Sequence, residues 1–328
     1  MPANLPPQYY EAEKKYRAAR GPAERVAALQ EMLSATPKHK GTDHLRAELR
    51  AKTARVMEEL ERPRRGSGQP QPYAIRKEGV GQVVLIGLPN SGKSQLLIGL
   101  TGASAKVGDY SFTTQLPLPG MLKYQNVRIQ LVDTPAINDR EVQTRLFSLL
   151  RNADLLLVVL DLSGDPLSEA EEVLAELERW GYRLLGKGEE ADPEDSRVQK
   201  SALLVGNKAD VAGAEVAFEF LQELYGHQFP VFQVSAATGI GLAELAEAIF
   251  SALDKVRVYL KAPGSQPDYD SPLVLDRGSA VADAAQSLHK DWNRKLRYAQ
   301  LWGSGKFNGQ RVGRDYVLAD GDVLELRG

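Results

Sequence analysis

The sequence predicts an α/β protein: a doubly wound, mostly parallel sheet, preceded by an N-terminal helical hairpin and followed by a small α+β domain. Three observations carry this reading. Five short aliphatic runs alternate with helical stretches through the middle of the chain, and four of the five are apolar at nearly every position, as expected of parallel strands covered on both faces. Residues 1–70 carry only helical signals. Residues 257–328 return to short strand-like runs around one helix.

In chain order, residues 8–20 are rich in Glu, Lys, Ala and Arg, all good helix formers. Gly21-Pro22 stops that helix and starts the next, whose apolar stripe is Leu29, Met32 and Leu33. A third helix is expected over 42–61, where Leu45, Leu49, Val56 and Leu60 recur at near-heptad spacing and form a seam for one partner helix. Residues 62–72 are a polar Pro/Gly linker. Over 71–256 the strands are expected at 83–86, 127–132, 155–160, 202–205 and 231–234, with helices at 92–100, 141–150, 168–180, 214–224 and 242–256. The polar stretch 186–200 reads as a surface loop. In the tail, 258–260, 272–275 and 323–326 read as strands and 280–293 as a helix.

A chain of 328 residues has room for two domains of ~150 residues, or three smaller ones. With 43% hydrophobic and 26% charged residues it can bury a core. Cysteine is absent, which removes disulfides, iron–sulfur clusters, thiolate zinc sites and cysteine nucleophiles, and suits a reducing compartment. The four histidines, His39, His44, His227 and His289, are scattered and make no metal-ligand pattern. No aliphatic run approaches the length of a membrane span, and Met1-Pro2-Ala3-Asn4 opens no signal peptide. The expectation is a soluble cytoplasmic protein without a membrane partner. The net charge of −2 divides into +5 over 1–66, −9 over 67–255 and +2 over 256–328, so any polyanion contact is expected at the ends.

The strongest local signal is Gly87-Leu88-Pro89-Asn90-Ser91-Gly92-Lys93-Ser94, a complete G-x-x-x-x-G-K-S between an expected strand and an expected helix. Glycines let the backbone wrap around phosphates while N–H groups and the helix N-terminus face the anion. Lys93 would reach the β- and γ-phosphates, and the Ser94 hydroxyl would ligate Mg²⁺. Asp133 ends the strand at 127–132, the place beside a phosphate loop where a nucleotide's Mg²⁺ is held. Asn207-Lys208-Ala209-Asp210 follows a further strand. An acceptor-only carboxylate at Asp210 can take both the N1–H and the exocyclic amine of guanine, whereas adenine offers neither. Ser235-Ala236-Ala237, after the next strand, could supply a backbone N–H to guanine O6.

These four motifs in this order resemble those of a translation-factor-class P-loop GTPase. Tyr110-Ser111-Phe112-Thr113-Thr114 is similar to the switch segment of the Obg and developmentally regulated GTP-binding proteins. Arg257-Val258-Tyr259-Leu260-Lys261, Pro267-Asp268-Tyr269, Ser271-Pro272, His289-Lys290, Tyr298-Ala299, Leu301-Trp302-Gly303 and Val312-Gly313 resemble the ubiquitin-like TGS domain that closes the latter. The front of the chain, 37–49, is similar to their N-terminal helical region. The resemblance implies GTP or GDP as ligand, held by Gly87, Asn90, Ser91, Gly92, Lys93, Ser94, Gln95, Asn207, Lys208, Asp210, Ser235, Ala236 and Ala237. It implies Lys93, Thr114 and Asp133 as the residues of the reaction, and Ser94, Thr114 and Asp133 around Mg²⁺. Thr113 is the rival of Thr114 for the metal. Asn90 matches a ligand of K⁺ in potassium-activated relatives, and is equally read as a turn asparagine.

The departures are specific. Ile137 stands where Ras-type GTPases hold a water-orienting glutamine, which implies slow intrinsic turnover unless a cation or an activating protein partner compensates. Asp133-Thr134-Pro135-Ala136 has alanine in place of the family's glycine, a residue for which positive φ is costly. Asn138-Asp139-Arg140-Glu141 replaces a glycine-rich run, and the interval from Asp133 to Asn207 is too short for the family's inserted domain. In the tail, His289-Lys290-Asp291-Trp292-Asn293-Arg294-Lys295-Leu296-Arg297-Tyr298 interleaves cations with aromatics. It reads either as an RNA or ribosome contact or as a solvated helix end with Trp292 and Tyr298 in the small core. The functional expectation is a Mg²⁺-dependent GTPase switch on the ribosome or structured RNA. The alternative is a nucleotide-gated adaptor that does not hydrolyse.

Overall fold

The computed structural model describes residues 6–19, 22–37, 42–61, 75–102, 116–138, 143–288 and 296–328. The switch segment 110–114, residues 139–141, the linker 62–72 and the basic–aromatic residues 289–295 lie outside them.

The larger sheet is built on β1 (Gln82–Ile86), β3 (Val127–Asp133), β4 (Leu155–Asp161), β6 (Val198–Asn207) and β7 (Val231–Gln233), all parallel. Its order is β2-β3-β1-β4-β6-β5, with β7 also on β6. The edge strand β2 (Leu118–Tyr124) runs antiparallel to β3, and the short β5 (Tyr182–Leu185) pairs with the first half of β6. Both were invisible as sequence patterns. Pro119-Gly120 breaks the β2 signal and is tolerated because β2 is an edge, while β5 is only 4 residues long. The stretch 186–200 is a loop only as far as 197, since β6 begins at Val198.

The apolar runs follow from burial on both sides. On β1, Val84 and Ile86 face one helical layer while Val83 and Leu85 face the other. On β4, Leu156, Val158 and Leu160 alternate in the same way with Leu155, Leu157 and Val159. Helices α5 (Gln143–Asn152), α6 (Pro166–Arg179) and α7 (Ala214–Tyr225) supply the first layer, and α4 (Lys93–Thr101) and α8 (Leu242–Ala252) the second. Each such side chain contributes ~1.5–3 kcal/mol on burial. Together they fix the carboxyl ends of the strands, where the candidate site lies. Helix α8 ends at Ala252 and not at 256, because Asp254 turns the chain with φ +53° into the next strand without a glycine or proline to announce it.

The front forms three helices, α1 (Pro7–Ala18), α2 (Pro22–Ala35) and α3 (Asp43–Glu61), packed first to second and second to third. Tyr9, Ala12, Leu29, Met32, Leu33, Leu49 and Val56 make their shared core. Phe147 and Val198 of the α/β unit pack against it, and Leu45, Leu49 and Val56 of the α3 seam are used within the molecule.

The tail sheet has the order β11-β10-β12-β8-β9, from β8 (Lys255–Leu260), β9 (Leu273–Asp276), β10 (Tyr298–Trp302), β11 (Gln310–Val312) and β12 (Asp322–Arg327). Helix α9 (Val281–Leu288) covers one face through Val281, Ala284 and Ala285. Strands β10 and β11 are short and alternating, and their sequence signal is correspondingly faint. Tyr298 is not in the small core: it alternates with buried Ala299 and Leu301 and lies beneath the Arg311 guanidinium, 3.9 Å from the ring centroid. The tail meets the larger unit at the β2–β3 turn. Asn126 donates to the Tyr259 hydroxyl at 2.6 Å and to the Tyr269 carbonyl at 3.0 Å, while Arg257 donates to Gln125.

Candidate nucleotide site

Strand β1 ends at Ile86 and the chain turns through Gly87–Gly92 into α4. The glycines are demanded by neighbours. A Cβ at Gly87 would lie 2.3 Å from the Val159 carbonyl oxygen of β4. At Gly92, with φ +86°, it would lie 2.2 Å from Asn207 Nδ2. Asn90 adopts φ +65° on the exposed crest of the loop, the left-handed conformation asparagine tolerates. Ser94 and Gln95, exposed in the first turn of α4, put the N-terminus of that helix at the loop, the end of a helix that favours an anion.

Lys93 folds back beneath this loop. Its Nζ donates to the carbonyls of Leu88 at 2.8 Å and Gly87 at 3.2 Å. Burial pushes its pKa down to about 8, with the charges of Asp133 and Glu169 acting in the opposite direction. Ser94 donates through its hydroxyl to Asp133 Oδ2 at 2.5 Å, so helix α4 and strand β3 converge at one point. Thr134 anchors the segment after β3 by donating to the Leu85 carbonyl at 2.6 Å. Ala136 does not take a positive φ. Ile137 donates its N–H to the Gly87 carbonyl at 3.3 Å, and its side chain is 1% exposed in the core. The Ile137 side chain thus packs into the core.

At the other end, Asn207 closes β6 and bridges two loops. Its Nδ2 donates to the Ser91 carbonyl at 3.0 Å, and its Oδ1 accepts from the Ala236 N–H at 3.1 Å. Ser235 donates through Oγ to Asp210 Oδ1 at 2.5 Å and accepts from the Thr238 N–H at 3.1 Å. In this arrangement Ser235 orients the Asp210 carboxylate and the Ala236 N–H serves Asn207, while Ala237 is exposed beside them. Lys208, at φ +67°, pairs with Asp161 at the end of β4. Burial works to raise the Asp161 carboxyl, but bonds from Lys208 and Ser163 hold it below the ordinary range. Glu169 of α6 accepts the Asp161 N–H at 2.9 Å, and burial raises its pKa.

The structure thus brings Gly87, Asn90, Ser91, Gly92, Lys93, Ser94, Gln95 and Asp133 together around the phosphate loop, and Asn207, bonded to Ser91 and Ala236, joins them to Lys208, Asp210, Ser235, Ala236 and Ala237. Thr113 and Thr114 lie outside the described residues. Asp161 and Glu169 were missed in the sequence. A carboxylate closing the strand next to β1 was the available signal for Asp161, the same one that marks Asp133 on β3.

The chain matches known proteins along most of its length. Residues 82–188 match a family model described as a 50S ribosome-binding GTPase, and residues 256–327 match the TGS domain. An uncharacterised GTP-binding protein of Methanocaldococcus jannaschii is 33% identical, with 93% of each chain covered. Developmentally-regulated GTP-binding protein 1 of Xenopus laevis is 30% identical over 93% of this chain and 99% of its own. A GTP binding protein from Pyrococcus horikoshii shares the fold, with a TM-score of 0.52 at 19% identity over 75% of this chain and 99% of that one. Fold, site and matches define a GTP-binding protein with a P-loop GTPase domain and a closing TGS domain. Within that class, the chain belongs to the family of developmentally regulated GTP-binding proteins. The two alignments run over 363 and 370 positions, more than the 328 residues here, so these relatives carry insertions that this compact chain lacks. Among the described residues no helix is long and apolar enough to cross a membrane.

Proposed function

We propose that the chain is a Mg²⁺-dependent GTPase acting as a cytoplasmic switch, with the ribosome or structured RNA as its platform. The observation that carries this reading is the convergence of Ser94 Oγ and Asp133 Oδ2 within 2.5 Å at the mouth of the phosphate loop. Two hard oxygen donors at one point suit Mg²⁺, which takes a few protein oxygens alongside phosphate and water. Bound there, Mg²⁺ would neutralise charge on the phosphates. Lys93 would leave the Leu88 and Gly87 carbonyls for phosphate oxygens. The loop N–H groups would hold the anion, and Asp210, oriented by Ser235, would read guanine. Thr114, by family resemblance, would close over the γ-phosphate. The ribosome enters through the description of the matched family model and the resemblance of the tail.

The buried Ile137 supports slow intrinsic turnover, because no side chain there positions the attacking water. K⁺ at Asn90, or an activating protein, would supply what is missing. The same residue favours a second reading, an adaptor that binds GTP without hydrolysing it.

Single-turnover GTP hydrolysis with Mg²⁺, in K⁺ and Na⁺ at equal ionic strength, with and without ribosomal subunits, separates these readings. Slow phosphate release, faster in K⁺ or with one subunit, is expected. No release under any of these conditions makes the protein an adaptor, and no co-sedimentation with either subunit removes the ribosome. The Asp210→Asn substitution is expected to lower GDP affinity by orders of magnitude, towards ~10⁴-fold. Unchanged affinity would remove the assignment of Asp210 to the base.

A further inference from the structure

Helix α7 is apolar on two faces, and the fold uses one. Ala214, Ala217, Phe218, Leu221 and Tyr225 pack into the core beneath the sheet. Val216, Phe220 and Leu224, spaced by four residues, form a second ridge, and each is 55% exposed. The ridge is ~12 Å long at the rise of an α-helix. Single exposed apolar residues are ordinary on a soluble surface, but a file of three large ones marks a contact site.

A parallel file of carboxylates, Glu215, Glu219 and Glu223, runs beside this ridge, all exposed. The helix contains no Lys or Arg. Helix α6 packs against α7 and adds exposed Glu171, while its one cation, Arg179, is paired with Glu176. Glu171 lies close enough to Tyr225 to add to the upward push that burial gives the phenol. The surface is therefore an apolar ridge set in negative charge.

We infer that this face docks a basic amphipathic helix of a partner protein. Residues 216, 220 and 224 make an i±4 ridge, the row that seats in the groove of another helix in the commonest packing class. The complementary helix would carry apolar anchors at i, i+3, i+4 and i+7, flanked by Lys or Arg facing the glutamates. Nucleic acid is the wrong occupant, since its phosphates would meet carboxylates with no cation on the helix to receive them. A second copy is disfavoured too, because a self-complementary contact would set glutamate against glutamate. The ridge starts just beyond Asp210, so the partner would sit against the base end of the site.

The test uses the full chain with GDP and a fluorescein-labelled synthetic helix of lysine and leucine, with leucines at i, i+3, i+4 and i+7. Fluorescence anisotropy should show saturable binding that Phe220→Ser and Glu219→Lys each weaken about tenfold. The Phe307→Ser control, at a 65% exposed aromatic in the tail, should leave it unchanged. A peptide with glutamate in place of lysine should not bind. GDP affinity and circular dichroism confirm that the variants fold. Equal binding by Phe220→Ser and the unsubstituted protein overturns the proposal, as does equal binding of the acidic peptide. A dimer in sedimentation velocity that Phe220→Ser dissolves overturns it too and assigns the ridge to a second copy.

Discussion

In the larger sheet, β4 turns Leu156, Val158 and Leu160 to one layer of helices and Leu155, Leu157 and Val159 to the other. In the tail sheet, β10 turns Ala299 and Leu301 to the core and leaves Tyr298, Gln300 and Trp302 on the open face. There Arg311 lies over Tyr298, and Lys261 lies 4.4 Å from the centroid of Trp302. A sheet clamped on both sides holds its strand ends to a fixed geometry, which suits a phosphate cradle. A sheet covered on one side keeps a surface for contacts.

The largest expected effects test this contrast directly. Leu156→Ala and Leu157→Ala should each destabilise the larger unit by about 2–5 kcal/mol, although they point in opposite directions. On β10, Leu301→Ala should cost as much, while Gln300→Ala should change stability by less than ~0.5 kcal/mol. Hydrogen exchange resolved by sheet would measure both pairs, and a large loss from Gln300→Ala would show that the tail sheet has a second covered face.

A pair of glycines sharpens the comparison. Gly92 and Gly278 have nearly the same φ, +86° and +87°, but a Cβ at Gly92 meets Asn207 at 2.2 Å, whereas at Gly278 it meets nothing within 4 Å. Both alanines carry left-handed strain of ~1–2 kcal/mol, and only Gly92→Ala also displaces the Asn207 bond, worth ~1 kcal/mol. GDP titration should show affinity falling about a hundredfold for Gly92→Ala and holding for Gly278→Ala. Equal affinities would mean the loop yields more than its doubly covered frame allows.

The smallest expected effect is protonic. Burial lowers Lys93 to about 8 without nucleotide, and phosphate oxygens would draw it back up. GDP binding at pH 8.5 should therefore take up part of a proton, with affinity declining as pH rises above about 8. Between about 8 and 10.5 the unfolded chain binds more protons at this lysine than the native one. Its contribution to the stability of the nucleotide-free protein consequently rises with pH across that window. Calorimetry in buffers of different ionisation heat measures the uptake, which Lys93→Met should abolish. Uptake unchanged in that variant would place the proton elsewhere.

The same contrast explains what was legible beforehand. Strands β1, β4 and β6 stood out because burial on both faces writes unbroken aliphatic runs, and β3 because Val127, Ile129, Leu131 and Val132 recur around Arg128 and Gln130. The alternating β10, the three-residue β11 and the Pro–Gly-containing β2 left no such mark. In the site, Lys93, Ser94, Asp133, Asn207 and Asp210 could be located from motif spacing, because each follows directly on a strand or turn. What Asn207 and Ser235 do could not. Their partners, Ser91, Ala236 and Asp210, lie on other loops, and only the order of the strands brings those loops together. The burial of Ile137 likewise depends on α5 and α6 closing over it.

Asn207 has one further consequence. A single amide holds the Ser91 carbonyl with one atom and the Ala236 N–H with another, so the loops that would grip the two ends of a nucleotide share a side chain. Ordering one loop then favours order in the other, and thermodynamic reciprocity makes the benefit equal in both directions. Guanosine should tighten the binding of pyrophosphate by the same factor that pyrophosphate tightens the binding of guanosine, and Asn207→Ala should bring that factor to one. A factor of one already in the unsubstituted protein would show that the loops act separately. With the coupling intact, a whole nucleotide is held more tightly than its two halves considered apart, and the excess belongs to a residue that need not touch it.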